Sequence, residues 1–244
     1  MPTLFVIATP IGNLEDMTYR AVRILSQVQA LACEDTRRTR TLLTHFDIPP
    51  PRHIFSYHEH NEKRAGNGII NLLSEGKDIA LCSDGGYPGV SDPGYRIIHE
   101  AIENGFDVEV IPGAGAVTMA LVASGLSTAS YTFKGFPPRK AGPLTRFLEM
   151  EKEFPHTLIF FESPFRVAKL LGAALSVLGN RRAAVCIELT KIYEAVHRGF
   201  LEELAQEFDG KKIRGEVTVV IAGNHPKFLA SDLEPDLAEV AEPA

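Results

Sequence analysis

Cysteine is scarce: Cys33, Cys82 and Cys186 are the only three in 244 residues, they lie far apart, and none forms a CxxC pair. That excludes a disulfide framework and a thiolate zinc site. Each thiol falls at the end of an apolar run, the usual place of a reduced core cysteine. No stretch of 18 apolar residues occurs, and the N-terminal "MPTLFVIATPIGN" has no basic segment before its short apolar run. Neither a membrane span nor a secretory signal is expected, and the chain reads as cytoplasmic. No Gly-Lys-Ser/Thr follows a glycine loop, no serine sits in a GxSxG elbow, and "IPGAGA" lacks the third glycine of GxGxxG. P-loop nucleotide, serine-hydrolase and nicotinamide-dinucleotide readings therefore fall away. No metal is expected either, since His58 and His60 in "FSYHEHN" have no evident third ligand.

What is present is an ordinary globular composition, 45% hydrophobic and 23% charged. The net charge of -6 argues against a nucleic-acid coat protein. That average hides an asymmetry. The last 21 residues hold five acids and one lysine, leaving about -2 for the body, where bases cluster as "RRTR" (37–40), "RK" (139–140), "RR" (181–182) and "KKIR" (211–214). A basic face on a nearly neutral body is compatible with an anionic partner.

Apolar β-branched runs alternate with stretches of helical period from the first residues onward. "TLFVIA", "ALAC", "HIFSY", "DIALC" and "DVEVI" read as strands, separated by helices, and after "SGLSTAS" the pattern restarts with "YTFKGF", "TLIFF", "AAVCI" and "VTVVIAG". Such alternation implies α/β domains with mostly parallel sheets and helices on both faces. The expected organisation is an N-terminal domain over 1–125, a C-terminal domain over 126–223 and an acidic flexible tail over 224–244.

The unusual residues fall at the carboxyl ends of the expected strands, where parallel α/β sheets bind ligands. In "SDGGYPGVSDPG" (83–94), Ser91 or Asp92 suits a helix N-cap with Pro93 at the first helical position. A single turn needs one glycine, so Gly85 and Gly86 together suggest a ligand approaching bare backbone. "IPGAGA" places Gly113 and Gly115 at a helix start, where free N–H groups could meet an anion, although such a motif alone more often serves close helix packing. In "EDTRRTR", Glu34 and Asp35 favour the helix dipole and Thr36 can cap, but Arg37 and Arg38 in the first turn are disfavoured there, which points to an anion such as phosphate. "ELTK" brings Glu188, Thr190 and Lys191 to a strand end, and "RGE" puts Arg214, Gly215 and Glu216 before the last strand.

Taken in order, "ATPIGNLEDMTYRA", "CEDTRRT", "LCSDGGYPGVSDPG", "VIPGAGA", "SGLS", "GFPPRK", "FESPFR", "ELTK" and "RGE" resemble the ribosomal RNA small subunit methyltransferase I family of the tetrapyrrole methylase superfamily, over residues 3 to 223. The resemblance implies a two-domain tetrapyrrole methylase-like fold with mostly parallel or mixed sheets and a cofactor cleft between the domains. It implies a cytoplasmic homodimer that uses S-adenosylmethionine to methylate the ribose 2′-hydroxyl of a decoding-centre cytidine in 16S rRNA of the small ribosomal subunit. Cofactor-binding residues would be Pro10, Asp84, Gly85, Gly86, Pro88, Val90, Pro112, Gly113, Ala114, Glu188 and Thr190. Glu34, Asp35 and Lys191 are the catalytic candidates, and Arg37, Arg38, Arg139 and Lys140 the RNA-binding ones. Two departures stand out: Gly85-Gly86-Tyr87 where the family has Ala-Gly-Thr, and Phe165 where it has His. A tetrapyrrole or other small-molecule methylase suits the net charge but not "EDTRR" and "GFPPRK"; a non-catalytic nucleotide-sensing module is the second alternative.

Overall fold

The computed structural model describes residues 1–230. Of the acidic tail expected over 224–244, the part from 231 onward lies outside the described residues. The chain divides into two compact units, Met1–Ala116 and the residues from Val117 on.

In the first unit five strands, β1 (Thr3–Ile7), β2 (Ala30–Cys33), β3 (His53–Ser56), β4 (Ile79–Cys82) and β5 (Asp107–Ile111), form one sheet in the order β3-β2-β4-β1-β5. All four pairings are parallel. The crossovers contain α1 (Tyr19–Leu25), α2 (Thr36–His45), α3 (Glu62–Ser74) and α4 (Tyr95–Glu103). The inner strands β1, β2 and β4 read as near-continuous apolar runs because both sheet faces are covered there. Alternate residues join separate cores: Leu4, Val6, Ala30, Ala32, Ile79 and Leu81 pack with α3 and α4 residues, whereas Ile7, Leu31, Cys33, Ala80 and Cys82 pack with α1 and α2 residues. The order of strands puts the loops after β1, β2 and β4 side by side at the carboxyl end of the sheet.

The division falls at the start of α5 (Ala116–Ser124), so nearly all of that helix belongs to the second unit. There β6 (Tyr131–Phe133), β7 (Thr157–Glu162), β8 (Arg182–Ile187), β9 (Ala195–Phe200) and β10 (Val217–Ile221) make a sheet ordered β6-β7-β10-β8-β9. Only β6 and β7 are parallel; β10 runs antiparallel to both neighbours, and β9 to β8. The sheet is thus mixed rather than mostly parallel. The strand β9, "AVHRGF", is an addition to those read from the sequence. One face packs on α6 (Ala141–Glu149), α7 (Val167–Leu178) and α8 (Leu201–Phe208). On the other, Cys186 Sγ lies 4.0 Å from the Ala120 carbonyl of α5, and Arg198 of β9 caps the end of that helix by donating to the Ala123 carbonyl. All three cysteines are free and buried, and burial pushes their thiols up, that of Cys186 to about 11. They are core residues, inert at neutral pH.

Candidate active site

Helix α2 starts where it does because Asp35, in extended conformation, accepts the Arg37 amide at 2.8 Å. Asp35, not Thr36, is the cap. Arg37 folds back on the same carboxylate through Nε at 3.3 Å and Nη2 at 3.0 Å. These bonds hold the Asp35 carboxyl below the usual range. Arg38 reaches Asp84 at 3.3 Å. The anions that first-turn arginines call for are therefore supplied by the chain itself, and their position does not require phosphate. Both guanidiniums remain mostly exposed, at 90% and 71% of the side chain. Exposed ion pairs are weak, so either arginine can exchange its carboxylate for another anion.

Asp84 ties the loops after β2 and β4 together. Its Oδ1 accepts the Asp35 amide at 3.1 Å, while its own amide donates to Glu34 Oε2 at 3.4 Å. Each loop's carboxylate satisfies the other's backbone, which fixes Glu34 and Asp84 without burying either fully. Pro10 and Asp84, with Thr9, Leu14, Arg38 and Ser83, line a cavity of about 270 Å³.

The glycine pair also has a structural role within the chain. Gly86 has φ +82° and exchanges both backbone hydrogen bonds with Thr9, at 3.0 and 2.9 Å. Thr9 Oγ1 also donates to the Ser83 carbonyl, and Ser83 Oγ to that of Gly86. The segment approaching the bare backbone is the chain's own Pro10-Ile11, within ordinary contact of a Cβ built on Gly85. Gly86 is required by its left-handed conformation. Gly113 is required by packing, since a Cβ there would lie 3.0 Å from Ala8. Its amide is bound by the Tyr87 hydroxyl at 3.1 Å, so the side chain that departs from the family's pattern joins the loops after β4 and β5. Pro88 is buried and Val90 exposed. Neither Ser91 nor Asp92 is the cap of α4: the helix starts at Tyr95 after Gly94, whose φ of +148° permits close contact with Pro88 and Gly89.

In the second unit, Glu188 (φ +52°) and Thr190 (φ +69°) lie in a strained turn after β8. Glu188 Oε1 accepts from Lys191 Nζ at 2.7 Å and from the Glu216 amide at 2.9 Å, and Lys191 also reaches Glu216 at 3.0 Å. A Cβ on Gly215 would overlap the Glu188 carboxylate, so the glycine of "RGE" makes room for it. Partial burial disfavours the charge on Lys191, but the bonds to Glu188 and Glu216 outweigh it and raise its pKa. Its protonated form is favoured, so what Lys191 offers in this arrangement is a fixed positive charge.

The RNA-binding candidates Arg139 and Lys140 stand on the loop after β6. Arg166 secures that loop by donating to the Pro137 carbonyl at 2.9 Å and the Pro138 carbonyl at 3.2 Å, and it pairs with Glu162 at 3.1 Å. Burial pushes the Glu162 carboxyl up, against the opposing pull of the Ser163 amide and Arg166. The sequence reading did not assign Glu162 and Arg166; their four-residue spacing in "FESPFR", from a strand end into a helix, was the available signal.

Comparison with known proteins agrees with this architecture. The model of the tetrapyrrole (corrin/porphyrin) methylases matches residues 3–205. Ribosomal RNA small subunit methyltransferase I of Halalkalibacterium halodurans is 48% identical over 92% of this chain and 77% of its own. The Bacillus subtilis protein of that name is 43% identical over 92% and 76%. Among solved structures, diphthine synthase superposes with a TM-score of 0.68 at 16% identity, over 91% of this chain and 90% of its own. A cobalt precorrin-4 methyltransferase gives 0.65 at 16%, over 90% and 94%; these two show the fold alone. With nine tenths of its length aligned to those relatives, the chain belongs to the tetrapyrrole methylase family and, within it, to the ribosomal RNA small subunit methyltransferases I.

Proposed function

We propose that the protein transfers a methyl group from S-adenosylmethionine to the ribose 2′-hydroxyl of a decoding-centre cytidine in 16S rRNA, acting on the small ribosomal subunit as a homodimer. The observation that carries this reading is the 41–48% identity to relatives named for small-subunit rRNA methylation.

The cavity at the carboxyl end of the first sheet suits such a donor, because it combines a carboxylate (Asp84), hydroxyls (Thr9, Ser83) and apolar walls (Pro10, Leu14). Pro10, Asp84, Gly85, Gly86, Pro88, Val90, Pro112, Gly113 and Ala114 would hold it, with Glu188 and Thr190 as further ligands. When bound, the cofactor supplies a methyl group already activated by its sulfonium charge.

The remaining work belongs to the protein's own groups. Orienting a ribose hydroxyl toward the donor can supply about 7–11 kcal/mol of barrier lowering. A base in reach of its proton adds roughly 10²- to 10⁴-fold. Glu34 is the best placed of the candidates: Asp35 is committed to its cap and to Arg37, and Lys191 is held protonated. Arg37, Arg38, Arg139 and Lys140 would hold RNA phosphates.

The test is transfer of labelled methyl from S-adenosylmethionine to small subunits lacking the modification, followed by alkaline hydrolysis. An alkali-resistant methylated dinucleotide is expected. Intact cofactor binding without transfer to RNA would instead favour a small-molecule methylase.

A further inference from the structure

Two large aromatic side chains stand in solvent on adjoining loops of the second unit: Phe165 is 91% exposed and Phe136 61%. Neither position is accidental in its mechanics. Phe136 precedes Pro137-Pro138, whose carbonyls are held by Arg166, and Phe165 directly precedes Arg166 and follows Pro164. Arg166, held by its ion pair with Glu162, thus ties the two loops to each other through its bonds to both proline carbonyls. Lys169 adds a bond from Nζ to the Arg139 carbonyl at 3.0 Å, and the Phe136 ring sits edge-on to Phe161 at 5.8 Å. A proline follows Phe136 and another precedes Phe165, and each limits the backbone beside its ring, so less freedom is lost on binding a partner.

The two loop segments themselves carry charge of one sign. Segments 134–140 and 163–169 contain five cations and no carboxylate. Lys134 and Arg166 are paired with Glu151 and Glu162. Among the described residues, Arg139 and Lys140 form no ion pair.

We propose that Phe136 and Phe165 form a stacking platform for unpaired nucleobases of a single-stranded RNA segment, whose phosphates are taken by Arg139 and Lys140. The inference rests on the RNA-methylating reading and adds to it the conformation of the substrate. Exposed rings interleaved with cations match single strands, whose splayed bases stack on aromatic faces; in a duplex those faces are already covered. A second copy of this chain is the poorer occupant, because a two-fold contact would bring the Arg139-Lys140 pairs of both copies together.

The chain contains no tryptophan, which provides a direct probe. Phe165→Trp introduces a single indole where the stack is proposed. Titration with a short single-stranded RNA should quench its fluorescence saturably, whereas a duplex of the same sequence should not. By anisotropy with the same labelled oligonucleotide, Phe165→Ala should bind about 5- to 150-fold more weakly, and Phe165→Trp near wild type. Calorimetry with S-adenosylmethionine should show unchanged cofactor affinity in both variants, which excludes misfolding. Unquenched fluorescence on saturation, or wild-type RNA affinity in Phe165→Ala, overturns the proposal. So does a concentration-dependent loss of dimer in Phe165→Ala, which would assign the platform to self-association. If the wild-type protein methylates small subunits in any of these cases, only the platform is wrong. If it neither binds nor methylates RNA, the function reading fails first.

Discussion

At the scale of single residues, the site depends on positions where a side chain would not fit or would be strained. Gly215 has φ +85° and leaves room for the Glu188 carboxylate. Gly215→Ala is expected to cost about 1–2 kcal/mol for the left-handed backbone alone, read as a lower denaturation midpoint. Because the new methyl displaces Glu188 from Lys191, methyl transfer should fall further than stability does. Gly113→Ala should cost about 1–3 kcal/mol through overpacking on Ala8, measured in the same way. Arg37 and Arg38 present a different case, in which sequence and structure give different reasons for one pattern. Their place in a first turn was legible and signalled a missing anion; that Asp35 and Asp84 provide it was not, because Asp84 lies 49 residues from Asp35. Arg37→Ala should still reduce the salt dependence of RNA binding, by about 0.7 in the logarithmic slope if one phosphate contact is lost. An unchanged slope would leave Arg37 as a partner of Asp35 alone.

At the scale of elements, the cap of α2 separates two roles that one carboxylate could play. Asp35→Asn preserves a capping side chain and removes the charge, whereas Asp35→Ala removes both. Stability by denaturation should follow the order wild type, Asn, Ala. Full methyl transfer by Asp35→Asn would identify the residue as a cap. A second element-level device is Glu151, which closes the turn after α6 by accepting from Lys134 at 2.6 Å and meeting His156 at 3.0 Å. Burial raises its carboxyl, but those bonds outweigh it and hold the pKa below the ordinary 4.5. A depressed carboxylate stabilises the fold above its unfolded value, and the contribution disappears as pH falls through the folded one. Wild type should therefore exceed Glu151→Gln in stability at pH 7, and the gap should close on acidification toward pH 3, as followed by denaturant titration.

At the scale of the whole molecule, most strands and helices were legible from hydrophobic periodicity, and the site loops from glycines and charges at strand ends. Strand direction in the second sheet was not, because a period of two is the same in parallel and antiparallel pairs. Strand β9 escaped notice because it is an edge strand carrying His197 and Arg198, and its residues are mostly half-buried. Nor does periodicity reveal the buried Arg181, which bonds the carbonyls of Leu178 and Lys152. Charge asymmetry leads to a further expectation. Residues 231–244 contain five acids and no base, and deleting them should strengthen non-specific RNA binding, more at low salt than at high. An equal effect at both salt concentrations would mean that electrostatics is not the cause.

The reciprocal bonds between Glu34 and the Asp84 amide, and between Asp84 and the Asp35 amide, have a consequence for exchange of parts between relatives. Transplanting the segment after β2 alone, or the segment after β4 alone, from a distant homologue leaves a donor or acceptor facing the wrong atom. Both together can restore the match. The two segments should thus behave as one heritable module: chimeras carrying either one are impaired, and the double chimera recovers by more than the single effects predict.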